Sequence, residues 1–93
     1  MKEKARAEIK ADGLVQGVGF RYFVMRNAKN LGLNGFVKNL YSGEVKTVIE
    51  GEKEKIEELH NKIKSGPSRA QVNNTSIVWS DNLNEFINFE VRR

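Results

Sequence analysis

The sequence predicts an α+β fold, a ferredoxin-like split β-α-β sandwich with two helices on one face of an antiparallel sheet. Two observations predict it. Segments of period two and of period 3.6 follow one another in the order β-α-β-β-α-β, with a short extra strand. Glycine, or Gly66-Pro67, stands where each helix should stop. Residues 5–12 alternate Ala5, Ala7, Ile9 and Ala11 with Arg6, Glu8, Lys10 and Asp12, the pattern of a half-buried strand. Alanine is a poor strand former, so only its neighbours hold this segment in a sheet. Phe20, Phe23, Val24, Ala28 and Leu31 then fall at helical spacing, with Gly32 as the stop. Residues 35–40 and 44–50 read as strands joined across Tyr41-Ser42-Gly43, a hairpin. Residues 52–65 form the second helix, with Ile56, Leu59 and Ile63 inward and the charge run to Lys64 as its solvated side. Residues 71–80 and 86–91 are the closing strands, with a turn at residues 81–84, and Trp79, Phe86 and Phe89 read as core.

This topology has a functional consequence. Its first two strands run parallel, with the third inserted antiparallel between them. Their C-terminal ends therefore share one sheet edge, roughly 10 Å apart, two strand spacings. Gln16 to Arg21 leaves the first of those ends and Asn39 closes the second.

Ninety-three residues are expected to form one domain, 1–93, with one core and little room for a second site. With 39% hydrophobic and 30% charged residues, the composition is that of a soluble globular chain. The net charge of +4 suits a phosphate-bearing ligand and also nucleic acid, so charge alone decides nothing. The absence of cysteine excludes disulfides and thiolate chemistry. The first ten residues carry too many charges for a secretory signal, and no apolar run approaches a membrane span. A cytoplasmic monomer that binds neither membrane nor nucleic acid is the expectation.

The stretch Val15-Gln16-Gly17-Val18-Gly19-Phe20-Arg21 turns the first strand into the first helix. Two glycines one residue apart permit positive φ and bring successive N–H groups round a concavity. That concavity opens on a helix N-terminus, where free N–H groups and the helix dipole favour an anion. Arg21, a cation in the first turn, opposes the dipole. An oxyanion gripped by the N–H groups of Gln16, Gly17, Val18, Gly19 and Phe20 together with the Arg21 guanidinium explains its placement. A tight turn with a solvated arginine is the plainer alternative. Asn39 also has two readings: an acceptor that orients a water, or a strand-end turn residue.

The stretch from Gly13 to Arg21 resembles the signature of the acylphosphatase family, small enzymes that hydrolyse the phosphoric–carboxylic anhydride of acyl phosphates. Gly35-Phe36-Val37-Lys38-Asn39 with Gly43 and Val45, and Gly66-Pro67 with Ala70 and Val72, resemble two further motifs of the family, in its order. Phe36 and Ser42 depart from the Trp and Asp that the family often carries there, and neither position holds the chemistry. The resemblance runs from about Ala7 to Val91. It implies that Arg21 and Asn39 are the catalytic residues, with Asn39 positioning the attacking water. It also implies that the water's proton goes to the substrate's own phosphate oxygen.

The remaining residues suit that chemistry. No Cys or Ser–His pair lies near the turn, and His60, bordering the second helix's apolar face, reads as structural. Asp12 reads as a turn former, and no His or carboxylate cluster has metal-ligand spacing. The site then offers charge and position without nucleophile, general acid, metal or cofactor. Phosphoryl transfer runs on those two effects when the leaving group is good, as the carboxylate of an acyl phosphate is. Inorganic phosphate or sulfate is the expected competitive ligand. The alternative is a non-catalytic ferredoxin-like module that binds an anion or RNA. An RNA-binding sheet needs aromatics on its third strand, and residues 44–49 have none.

Overall fold

The computed structural model describes residues 3–81 and 85–93. Of the turn expected at 81–84, only Asp81 lies within the described residues. The elements are β1 (Lys4–Leu14), α1 (Phe20–Asn30), β2 (Asn34–Asn39), β3 (Val45–Glu52), α2 (Lys53–Ser65), β4 (Gln71–Ser80) and β5 (Phe89–Arg92). They form one five-stranded sheet in the order β4-β1-β3-β2-β5. Helix α1 lies over β2 and β5, and α2 over β1 and β4. The split β-α-β arrangement stands as the sequence predicts.

The alternation in β1 survives its weak propensity because both edges are paired, to β3 and to β4. Ala7, Ile9 and Ala11 are buried and meet Val24, Ile56, Leu59 and Ile63 from the helices in one core. Helix α1 stops as expected, with the Leu33 N–H returning to Ala28 O at 2.9 Å and the Leu33 side chain buried.

Three expectations change. The sheet is mixed, because β5 pairs parallel to β2 (Gly35 opposite Phe89, Lys38 opposite Arg92). Strand β5 also begins at Phe89 and not at residue 86. The Phe86 N–H donates to Glu50 Oε1 at 2.9 Å, outside any strand ladder, and Ile87 stands 93% exposed. Finally, of the aromatics read as core only Phe89 is buried. Trp79 is 37% exposed near the end of edge strand β4, beneath the Lys53 ammonium. Phe86 packs edge-on against Phe36 and carries Arg6 on its ring, so it sits among polar groups outside the core.

His60 joins α2 to β4, its Nε2 3.0 Å from Thr75 Oγ1. Partial burial, and secondarily the Lys64 charge, lower its pKa from the ordinary 6.5. The unfolded chain therefore takes up this proton before the folded one as pH falls. The contribution to stability is complete above 6.5 and is lost as pH drops through the lowered folded value. Thermal melts at pH 7.5 and 5.5 should show a larger acid-side loss for the parent than for His60→Gln, which cannot take up a proton. Equal losses would show that His60 does not couple pH to folding.

Candidate active site

Strand β3 fixes the width of the site. Val45 is paired with Ala11 of β1 on one side and with Asn39 of β2 on the other. Asn39 therefore stands level with Ala11 across one intervening strand, and β1 runs on to Leu14 before the chain turns back. Asn39 shares the parity of Val37, which is fully buried, so it faces the helix side of the sheet.

The turn between β1 and α1 is pinned at both ends by buried apolar side chains, Val15 and Phe20. Between them Gly17 and Gly19 take φ of 76° and 77°. A Cβ on either would meet no atom within 4 Å, so conformation, not crowding, demands glycine. Gly19 is the N-cap of α1, with no side-chain cap and no acidic residue in the first turn. The helix thus begins with donors that no side chain claims.

A concavity of about 160 Å³ opens here, lined by Val15, Gly17, Gly19, Phe20, Arg21, Tyr22 and Asn39. The fold has brought together Arg21 and Asn39, which stand 18 residues apart in the chain. Val18 turns inward and packs against the core. Gln16 lines an adjoining larger cavity of about 470 Å³ with Lys38, Leu40, Tyr41 and Arg93, and Asn39 forms part of both walls.

Two tethers hold the site residues. Arg21 Nη1 donates to the Arg92 carbonyl at 3.0 Å, so the last residue of β5 orients the guanidinium and leaves its other donors available. Gln16 Nε2 donates to Leu40 O at 2.8 Å and to Glu44 O at 2.9 Å, tying the turn to the start and end of the β2–β3 hairpin loop. Sequence reasoning used only the Gln16 backbone. The side-chain role has no sequence signal, because it depends on two carbonyls that only the sheet places beside it. Asn39 Oδ1 is buried with no hydrogen-bond partner.

The nearby carboxylates are engaged in structure. Asp12, read from the sequence as a turn former, lies instead within β1, and its Oδ1 accepts the Asn74 N–H of β4 at 2.8 Å where the β1–β4 register shifts. Glu44 Oε1 accepts from Ser42 Oγ at 2.8 Å. Among the described residues no group of three or more His, Cys, Asp or Glu is placed to hold a metal ion, and no helix is long and apolar enough to cross a membrane.

Fold and site define a ferredoxin-like sandwich whose first strand–helix turn forms an oxyanion-sized concavity beside an arginine and a buried amide. Comparison with known proteins narrows the class. The family model described as Acylphosphatase matches residues 7–91. An acylphosphatase of Geobacter sulfurreducens is 42% identical over 89 residues, covering 96% of this chain and 98% of the relative. One from Caldanaerobacter subterraneus is 39% identical over 88 residues, 95% of this chain and 98% of its own length. The crystal structure of the Bacillus subtilis acylphosphatase superposes with a TM-score of 0.92 at 34% identity, over 96% of this chain and 99% of that one. The chain belongs to the acylphosphatase family, and its activity is the hydrolysis of acyl phosphates. The matches do not favour the non-catalytic module.

The Gln16 tether is open to direct test. Gln16→Met keeps the length of the side chain and removes both donations. Each carbonyl retains a backbone partner, Gly43 N–H on Leu40 O and Leu40 N–H on Glu44 O. The expected loss is therefore that of net hydrogen bonds without orphaned groups, about 1–2 kcal/mol. Urea unfolding measures it, and an unchanged midpoint would mean that the tether holds nothing.

Proposed function

We propose that the chain cleaves small acyl phosphates to a carboxylate and inorganic phosphate by direct attack of water, without a covalent intermediate or a metal. The phosphoryl group lies in the concavity beneath Gly17 and Gly19. Its oxygens accept from the backbone N–H groups of Gln16 to Phe20 and from the Arg21 guanidinium, charge-assisted bonds at a helix N-terminus. The attacking water donates to Asn39 Oδ1. Its oxygen bonds to phosphorus as the phosphorus–acyl oxygen bond breaks, and that electron pair leaves on the carboxylate. The water's proton passes to a phosphate oxygen of the substrate.

The observation that carries this reading is the state of Asn39. Its Oδ1 is buried and unpartnered, on a residue that lines the same concavity as Arg21. Such an acceptor costs about 1–3 kcal/mol when left unpaired, and a turn of the Asn39 side chain toward the concavity it lines would let a water satisfy it. Arg21, tethered through Nη1, keeps donors for two phosphate oxygens. A carboxylate leaving group needs no general acid, which fits a site whose carboxylates are occupied with backbone and hydroxyl groups. Inorganic phosphate and sulfate fill the same concavity as competitive ligands.

The roles separate by kinetics. Arg21 meets the phosphoryl group in ground and transition states alike, so Arg21→Gln should weaken phosphate inhibition and abolish most turnover. Asn39 acts on the water, so Asn39→Ala should lower kcat by roughly 10²–10³ while phosphate Ki stays near the parent value. Phosphate Ki beside kcat, with folding checked by circular dichroism, decides between them. If Asn39→Ala turns over at the parent rate, or loses phosphate as badly as Arg21→Gln, the water-positioning role is wrong. Treatment with EDTA should leave turnover unchanged. Loss that magnesium restores would overturn the metal-free reading.

A further inference from the structure

The larger cavity beside the phosphate concavity carries a charge pattern that hydrolysis of the anhydride does not use. Lys38 stands on β2 directly between two other cations, Lys46 on β3 and Arg92 on β5. Like charges directly opposed across a sheet are destabilising, and each flanking cation has its own relief. Lys46 Nζ is 3.2 Å from Glu8 Oε1. Arg92 Nε is 3.3 Å from Glu90 Oε2, and its guanidinium lies 4.0 Å over the Phe36 ring. Lys38 has neither. Among the described residues it makes no ion pair, hydrogen bond or ring contact. It is only partly exposed, and it lines the cavity of about 470 Å³ together with a second cation, Arg93.

That cavity adjoins the proposed phosphoryl site through Asn39, which lines both, and an acyl half extending past Asn39 from a phosphoryl group in the concavity would enter it. Its walls include the apolar Leu40 and the exposed ring of Tyr41. A volume of this size accommodates a short carbon chain with a polar end group. We infer that Lys38, supported by Arg93, selects acyl phosphates whose acyl half ends in a second anionic group. The inference rests on the acyl phosphate reading and adds the class of acyl group. A concavity with few side-chain contacts would by itself be indifferent to the acyl half, and Lys38 adds a charge filter.

Succinyl phosphate and butanoyl phosphate differ at the far end of a four-carbon acyl group, carboxylate against methyl. At low ionic strength the parent should show kcat/KM higher for succinyl phosphate by roughly three- to fivefold, the upper range of an exposed ion pair. Raising the salt to ~1 M should shrink that ratio toward one. Lys38→Gln should also bring the ratio toward one, and Lys38→Arg should restore it. A parent ratio of one, or a ratio that Lys38→Gln leaves intact, overturns the inference while both substrates are still turned over. Failure to turn over either substrate overturns the underlying reading instead.

Discussion

The position of Val45, paired on one side with Ala11 and on the other with Asn39, is the constraint on which the site depends. Side chains alternate along a strand with period two, so a slip of β2 by one residue would carry Asn39 to the open face of the sheet. The hydrophobic pattern forbids that slip. Val37 is fully buried two residues before Asn39, and shifting it outward would empty its place in the core. The register that packs the core therefore also delivers an amide to the mouth of the first strand–helix turn. No separate device is needed to bring the two together.

The turn itself sets one charge against another. A helix N-terminus and an arginine in the first helical turn both attract anions, and without one they repel each other. The structure eases this by giving Arg21 Nη1 the carbonyl of Arg92 at 3.0 Å. That carbonyl is available because β5 lies beside β2 and runs parallel to it, its last residues reaching the same edge as the C-terminal end of β2. The short fifth strand thus does more than extend the sheet. On the opposite face the same strand brings Arg92 alongside Lys38, where Glu90 and Phe36 hold it. One residue orients the guanidinium through its main chain and crowds Lys38 through its side chain.

Most of the fold was legible in the sequence because hydrophobic periodicity and glycine positions carry it. The inward alanines of β1, the buried positions of α2 and the Gly32 stop all stand as read. The turn into α1 was legible for a related reason, since two glycines with positive φ before a helix leave a local trace. What escaped depends on contacts that no local pattern encodes. Phe86 looks like a core aromatic in sequence, yet its N–H is captured by Glu50 and its ring by Phe36 and Arg6. The parallel pairing of β5 follows from where the chain re-enters the sheet after β4, not from residues 89–92 themselves. Gln16 was visible as a member of the turn. Its tie to Leu40 and Glu44 was not, because those carbonyls belong to a hairpin more than twenty residues away.

The two cavities are built from different materials, and this bears on what each can discriminate. The phosphoryl side, as proposed, is made largely of main chain: N–H groups whose direction is fixed by Gly17 and Gly19 and by the burial of Val15 and Phe20. A substitution at Gly17 or Gly19 changes backbone conformation and so moves several of these N–H groups together. The larger side is made of side chains at Lys38, Tyr41 and Arg93, which point away from the core and can change without moving the backbone. Asn39 belongs to both walls, so anything seated in the larger cavity lies against the residue assigned to the water. An acyl group held there would act on catalysis through contact with Asn39 as well as through affinity. On this proposal the main chain of the turn, with the Arg21 and Asn39 side chains, would set the reaction, and the side chains of the larger cavity would set which acyl group reaches it.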